Sequence, residues 1–203
     1  PKRNVPGAEA KNPEPPRTEA KKKELAAWVS VPDDPQNVII EKVIRDGLKK
    51  STGELTRKDL AKVTELSLRF KQIRDVSALK GLKQLTSLKL SDNQIRDVNP
   101  LKELTQLEEL NLHDNQISDV SPLKELKQLT KLSLYNNQIS DVSALRELMQ
   151  LTSLGLSGNR IKDVSALKEL KQLTVLGLSD NPDLTQVQVE ELQKALPKCK
   201  ISR

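Results

Sequence analysis

The single histidine of this 203-residue chain, His113, is the first candidate for acid–base chemistry. Asp114 follows it directly and Asp92 precedes Asp114 by 22 residues, so His113 with either aspartate could mimic two members of a catalytic triad. A triad also needs an activated nucleophile and an oxyanion hole, whereas the nearby serines are predicted to lie on an open sheet. We therefore predict that the protein is not an enzyme and needs no cofactor.

Candidate metal ligands are few. One histidine and one cysteine, Cys199, cannot form a zinc site of the usual kind, so no metal site is predicted. A row of regularly spaced aspartates could attract calcium. Its members are Asp75, Asp97, Asp119, Asp141 and Asp163. We favour a local role, in which each carboxylate accepts hydrogen bonds where the chain turns.

These residues recur because the sequence repeats a short unit. The pattern LxLxxNxI occurs as LSLRFKQI, LKLSDNQI, LNLHDNQI, LSLYNNQI, LGLSGNRI and LGLSDNPDL, with sixth positions always 22 residues apart. This pattern matches a leucine-rich repeat, whose unit is about 20–29 residues. Within each LxL the side chains alternate, so the leucines point inward and the residue between them points outward on a short strand.

Stacking six such units predicts an α/β solenoid, a leucine-rich repeat horseshoe. The concave face would carry short parallel strands, and the convex face would carry 3₁₀ or short helical turns. We predict an extended or disordered tether rich in proline and charge over residues 1–36 and a helical N-terminal cap over residues 37–62. The six repeats would occupy residues 63–184, and a capping helix and strand would occupy residues 185–203.

The ends of the helices can also be predicted. Asn37 is the expected N-cap of the first helix, and Val38 is expected on its buried side. At the other end of the chain, Val187 and Leu192 should cover the core from an amphipathic helix. On the convex side, a small polar residue is the expected N-cap of each short turn. These residues are Ser77, Asn99, Ser121, Ser143 and Ser165.

The sixth position of the motif is predicted to be structural. An asparagine amide donates and accepts hydrogen bonds at once, so it can satisfy backbone groups where the buried chain leaves the strand. Adjacent repeats would share these bonds as a ladder. The ladder residues are Asn93, Asn115, Asn137, Asn159 and Asn181. Lys71 replaces the asparagine in the first repeat, where the end of the array would let its ammonium reach water.

Charge and composition argue against two kinds of partner. The net charge is +6, but residues 1–24 hold seven Lys/Arg against four Asp/Glu, so the repeats carry no strongly basic stripe. Nucleic-acid binding needs clustered cations, with aromatic rings for single strands, and aromatic residues make up 1% of the chain. No apolar run approaches the roughly 20 residues of a membrane span. Cys199 is expected to be a buried thiol.

Residues 37–203 resemble bacterial internalin-type leucine-rich repeat proteins. The stretch NQISDVSPLKELKQLTKLSLYNNQISDV has the 22-residue period of that family, and VIIEKVIRDGLKKSTGELTRKDLAKV is similar to its helical N-terminal cap. The resemblance implies a right-handed horseshoe that binds another protein, often a host-cell receptor, on the concave sheet. A scaffold does not determine its ligand, so the partner stays open.

The resemblance and the repeats together predict a non-enzymatic protein-binding module. We expect a monomer that binds a protein ligand on the concave face. It would be secreted, or held at the bacterial cell surface or in the periplasm. The alternative is an intracellular scaffold or regulatory subunit of an enzyme.

The predicted binding residues face outward on or beside the strands, where aromatic and arginine side chains commonly anchor a partner. They are Arg69, Phe70, Lys89, Glu109, Asn111, His113, Lys131, Tyr135 and Arg160. Neighbouring strands lie about 4.8 Å apart, so His113 and Tyr135 should be side by side, with His113 solvated. The alternative is that these side chains are solvated variation on a sheet whose partner binds elsewhere.

Overall fold

Residues 35–203 are described by the structure, which is a computed structural model. Apart from Pro35 and Gln36, the tether predicted for residues 1–36 lies outside the described residues. None of the helices in the described part of the chain is long and apolar enough to cross a membrane.

Seven short parallel strands form one sheet in chain order. They are β1 (Glu65–Ser67), β2 (Ser87–Lys89), β3 (Glu109–Asn111), β4 (Lys131–Ser133), β5 (Ser153–Gly155), β6 (Val175–Gly177) and β7 (Lys200–Ser202). The central leucine of each repeat strand is buried because side chains alternate along a strand. From β1 to β6, each residue pairs with the residue 22 positions later, so equivalent side chains form columns across the sheet.

The opposite side of each repeat is a short 3₁₀ helix. These helices span Ser77–Gly81, Asn99–Glu103, Ser121–Glu125, Ser143–Glu147 and Ser165–Glu169. The predicted N-caps are wrong, because the small polar residue is the first helical residue rather than the cap. Instead, the aspartate two residues earlier accepts a hydrogen bond from that residue's backbone N–H, as Asp141 does from Ser143 at 2.8 Å. These bonds confirm the local role predicted for the aspartate row.

Helix α1 (Pro35–Leu48) covers the first repeat. It begins two residues before Asn37, the predicted N-cap, because a proline suits the first helical turn, where its missing N–H costs nothing. Its buried face holds Ile40 and Ile44. Val38, predicted to be on the buried side, is 57% exposed because two residues turn an α-helix by about 200°.

Helix α2 (Arg57–Leu60) completes the N-terminal cap and starts with a capping box. The Oγ1 of Thr56 accepts from the Asp59 N–H at 3.2 Å, and the Oδ2 of Asp59 accepts from the Thr56 N–H at 3.0 Å. Lys50 Nζ donates to the same Asp59 oxygen at 2.6 Å. These bonds, with Lys50 first, hold the pKa of Asp59 well below its usual range.

Helix α3 (Gln186–Ala195) closes the other end of the core, and β7 then adds to the sheet beside β6. Its capping box is built from Thr185 and Gln188. The prediction that Val187 covers the core is wrong, because this side chain is 64% exposed and Val189 occupies the buried face instead. Terminal repeats of a solenoid need such a cover, since their core face would otherwise meet water.

Leucine, isoleucine and valine side chains from every repeat form one continuous core. Cys199 belongs to it and is 3% exposed, and burial raises the pKa of its thiol. The parallel strands, the 3₁₀ helices and the two caps confirm the predicted α/β solenoid.

Candidate functional site

The asparagine ladder joins neighbouring repeats where their chains leave the strands. The Asn137 side-chain nitrogen donates to the carbonyl of Leu134 in its own repeat and to that of Leu112 in the preceding repeat, both at 3.0 Å. Its Oδ1 accepts from the Ile117 N–H of the preceding repeat at 3.0 Å. The same bonds recur at Asn93, Asn115, Asn159 and Asn181. With 4–9% exposure, these amides satisfy backbone groups that water cannot reach.

Lys71 shows why the ladder can start without an asparagine. Each ladder amide bonds backward, so Asn93 already accepts from the N–H groups of Lys71 at 3.1 Å and Ile73 at 2.9 Å. No repeat precedes the first one, so no backbone groups there need hydrogen bonds from a residue at position 71. The lysine is exposed and replaces an amide for which the fold has no partner.

His113 and Tyr135 stack on each other at adjacent strand ends. Their ring centres are 4.3 Å apart and the ring planes differ by 12°, so the predicted adjacency is confirmed. The prediction that His113 is solvated is wrong, because the residue is only 8% exposed. Tyr135 lies against the imidazole ring, and the carboxylates of Asp92 and Asp114 approach its two nitrogens.

A series of side-chain contacts holds the imidazole of His113 at its Nδ1 atom. The Nδ1 of His113 is 2.7 Å from Asp114 Oδ2, and the other Asp114 oxygen accepts from Asn136 Nδ2 at 2.9 Å. Burial raises the pKa of Asp114, but the bonds from Asn136 and His113 outweigh it and lower that pKa. Gly158 makes room, because a Cβ there would lie 2.2 Å from Asn136 Oδ1. Three successive repeats therefore fix the orientation of one ring.

In every repeat, the residue directly after the column that contains His113 and Tyr135 adopts a left-handed backbone conformation. The column consists of Phe70, Asp92, Asp114, Asn136, Gly158 and Asp180, with φ between 52° and 70°. Aspartate, asparagine and glycine tolerate this region, whereas a bulky aromatic residue does not adopt it readily. Phe70 is nevertheless there and is 68% exposed. It presents an apolar ring at a position where the fold does not need one.

Arg69 connects Phe70 with the stacked rings. Its guanidinium carbon lies 5.2 Å from the centre of the Phe70 ring, a cation–π distance. Its Nε donates to Ser91 Oγ at 2.8 Å, and its Nη2 is 3.7 Å from Asp92 Oδ2. Ser91 is consequently fully buried although it occupies an outward position. Arg69, Phe70, Asp92, His113, Asp114 and Tyr135 thus form one contiguous group, which we call the ring cluster.

Four further predicted residues surround a shallow depression of about 370 Å³ beside the ring cluster. Lys131 Nζ pairs with a Glu109 carboxylate oxygen across the β3–β4 rung. The Asn111 side-chain oxygen accepts from the His113 N–H at 3.2 Å. Lys89 is exposed at the rim. The depression is wide enough for one or two side chains of a partner.

Arg160 does not join this group. It lines a separate depression of about 830 Å³ together with Gln138 and Asp163. The reason is its position after the ladder residue Asn159, where the chain has already turned away from the strands. Arg160 therefore lies outside the ring cluster, and its role in binding stays a separate prediction.

The repeat pattern is recognised by two family profiles. The profile for leucine-rich repeats in two copies matches residues 105–147 and 150–194, and a second leucine-rich repeat profile matches residues 61–117. The chain belongs to the leucine-rich repeat family. A search of curated proteins gave no match.

Solved structures identify the type of repeat. An internalin, InlF, of Listeria monocytogenes is 25% identical with a TM-score of 0.65, over 82% of this chain and 57% of its own. Internalin C2 of the same organism is 28% identical with a TM-score of 0.62, over 83% of this chain and 85% of its own. A leucine-rich repeat protein of Leptospira interrogans is 31% identical with a TM-score of 0.67, over 71% of this chain and 38% of its own. The repeats are of internalin type.

Within these internalin-type repeats, sequence reasoning missed how the ring cluster is held. From the sequence, Asp92 and Asp114 are candidate triad members, and neither Asn136 nor Gly158 is predicted to belong to the binding site. The available signal was the 22-residue spacing, which places all four in the column next to that of His113. Their role depends on side-chain orientation, which the repeat pattern does not specify.

Proposed function

We propose that this leucine-rich repeat protein is a non-enzymatic module that binds a protein partner on its concave face, with the ring cluster as the anchor. The observation that carries the proposal is the stacked pair of His113 and Tyr135, to which Arg69 and Asp92 connect the exposed Phe70. The core and the ladder repeat without these side chains, so the fold does not require them. Aromatic and arginine side chains are the residues that most often dominate binding energy at protein interfaces.

The shape of the face supports binding over catalysis. The His113–Asp114 pair resembles half of a triad at 2.7 Å, but it lies on an open sheet beside a shallow depression. Enzymes gain most of their rate from preorganised groups in a site that excludes water. A broad surface with a few anchors instead suits a folded partner.

We also propose that the protein acts as a monomer and is exported from a bacterium. Two of the similar structures are internalins of Listeria monocytogenes, which supports a bacterial origin and an export route. The two caps cover both ends of the core, which supports a monomer. Genomic sequence upstream of the chain tests the location, since an export signal is expected there and a fused enzyme would contradict it.

A double variant tests the binding face. The full chain is used to capture partners, and the affinity of the main captured protein is then measured. His113→Ala with Tyr135→Ala should weaken that affinity by about 30-fold or more, the loss of one hot spot. The matched control is Ser157→Ala with Ser179→Ala, which changes the same column in later repeats and should leave the affinity unchanged.

Circular dichroism must show that both double variants fold, so that a loss of affinity reports on the surface. Equal affinity for the wild type and the His113, Tyr135 variant would contradict the proposal and move the binding site off the ring cluster. Equal loss in both double variants would contradict it as well, because the anchor would then not be local.

A further inference from the structure

Three groups able to ligate a metal ion meet inside the ring cluster. Asp92, His113 and Asp114 each place one potential ligand atom within 4.8 Å of the others. Asp92 comes from the second repeat and the other two from the third, so the 22-residue register brings them together. His113 is 8% exposed, which removes its ring from most of the solvent.

Asp92 is the unusual member of this group. Its Oδ2 is buried and makes no hydrogen bond. His113 Nε2 faces it at 4.0 Å and Arg69 Nη2 at 3.7 Å, and both distances are too long for a hydrogen bond. A buried carboxylate oxygen that accepts no hydrogen bond is costly and calls for a specific explanation. The surrounding groups point at this oxygen without bonding to it.

The other side of the imidazole is firmly held. Asp114 Oδ2 is 2.7 Å from Nδ1, so the tautomer that donates Nδ1–H to the carboxylate would place the lone pair of the ring on Nε2. A carboxylate that holds the far nitrogen is the usual support of a metal-binding histidine, because it fixes the tautomer and makes the ligating nitrogen more basic. Nε2 is thus presented to Asp92 as a ligand.

We propose that His113 Nε2 and Asp92 Oδ2 bind a divalent transition-metal ion such as Zn²⁺, with Asp114 as the positioning residue. The 4.0 Å gap is close to the sum of two metal–ligand bonds of about 2.0 Å each. A small rotation of the Asp92 carboxylate that shortens the gap to about 3.3 Å would give a tetrahedral angle at the ion.

The ligand chemistry selects the class of ion. An imidazole nitrogen suits zinc and its neighbours in the first transition row, whereas calcium and magnesium prefer oxygen ligands alone. Two protein ligands leave coordination positions for water or for a side chain of a partner. The site therefore goes beyond the proposed protein binding, and its existence does not depend on it.

Arg69 competes with the ion. Its guanidinium is the nearest fixed positive charge to Asp92 Oδ2 in the described part of the chain, at 3.7 Å, and it would repel a second cation there. Arg69→Gln removes this charge and should tighten metal binding several-fold. An adventitious surface site would not respond to this change.

Calorimetric titration with ZnCl₂ tests the proposal on the full chain, prepared without an affinity tag and stripped with a chelator. One ion should bind per chain, and Co²⁺ should show the absorption bands of a tetrahedral site. His113→Gln and Asp92→Asn should each lose at least tenfold in affinity. The matched control is Asp180→Asn, a change in the same left-handed column without a histidine beside it.

Asp114→Asn tests the positioning role separately. It should weaken Zn²⁺ binding and also change the imidazole ¹⁵N shifts of the metal-free protein, which report the tautomer. The proposal is overturned if neither heat nor Co²⁺ bands appear at millimolar metal, or if His113→Gln binds as tightly as the wild type. These titrations contain no partner, so they can fail or succeed independently of the proposed protein binding.

Discussion

The concave face has two halves that share one backbone and differ in their side chains. From β1 to β4 the outward positions include arginine, lysine, glutamate, histidine and tyrosine among serines, and several of these side chains make hydrogen bonds, ion pairs or ring stacking. From β5 onward they are mostly serine and glycine. In the described structure, the outward side chains of Ser153, Ser157 and Ser179 make no side-chain hydrogen bond. The register and the ladder continue unchanged across the boundary.

This difference separates what the fold requires from what it permits. The buried leucines and the asparagine ladder repeat in both halves, so the interior does not account for the difference between their outer surfaces. The second half shows that the sheet forms when its outward side chains are mostly small. This difference supports the proposed placement of the binding site on the first half.

The largest expected effect tests whether the interior really is the same in both halves. Asn137→Ala and Asn159→Ala each leave buried backbone groups unpaired, one in each half. Each should reduce the free energy of unfolding by about 1–3 kcal/mol. Urea denaturation followed by circular dichroism measures both variants.

The two asparagine variants act as each other's control. Losses that agree within experimental error would support a uniform interior beneath a divided surface. A neutral result at Asn137 with a loss at Asn159 would show that the first half is stabilised by its outer side chains, which would undo the comparison.

A smaller effect is expected at the boundary between the halves. Gly158 has φ +70°, and a Cβ there would collide with Asn136. Gly158→Ala should therefore reduce the free energy of unfolding by about 1–2 kcal/mol. Gly155 has no such restriction, since its Cβ would meet Tyr135 Cδ1 at an ordinary 3.6 Å, and Gly155→Ala should stay within about 0.5 kcal/mol.

Nuclear magnetic resonance adds a second measurement to the glycine pair. Gly158→Ala should shift the His113 ring signals, because displacing Asn136 loosens Asp114 and therefore the imidazole. Unchanged His113 signals in a destabilised Gly158→Ala variant would mean that the contact chain does not extend to the ring.

Most of the fold could be predicted from the sequence because the same buried positions recur in every repeat. Leucine alternation predicted the strands, and the 22-residue spacing predicted their register. The errors concerned the capping helices, where alternative helical phases have similar energies. Val187 and Val38 were placed on buried faces, but a shift of two residues in the helical phase exposes both. Periodicity in a short amphipathic helix does not determine that phase.

The candidate site could be predicted only in part. The 22-residue register predicted that His113 lies next to Tyr135, because residues 22 positions apart are neighbours across the sheet. Burial of His113 could not be predicted, because it depends on which rotamers the neighbouring side chains adopt. Arg160 lies apart from the ring cluster because it follows the ladder residue Asn159, where the strand columns no longer apply.

The two ends of the solenoid offer the smallest and most specific test. Both caps use a capping box, but Asp59 titrates whereas Gln188 does not. Lys50 and Thr56 hold the pKa of Asp59 below its ordinary value of 3.8, so its stabilising effect is present above that pH and is lost as the pH falls through the folded-state pKa. When the pH is lowered from about 5 to about 2, the melting temperature of Asp59→Asn should therefore fall less than that of the wild type.

The C-terminal cap supplies the matched control. Gln188→Glu keeps a capping-box acceptor but makes it titratable, so this variant should gain acid sensitivity beyond that of the wild type. Thermal melts followed by circular dichroism at several pH values measure all three proteins. Parallel pH profiles would mean that neither box contributes measurably to stability. The acid response of the protein would then come from the repeats, where hydrogen bonds also hold the pKa values of Asp114 and Asp163 down.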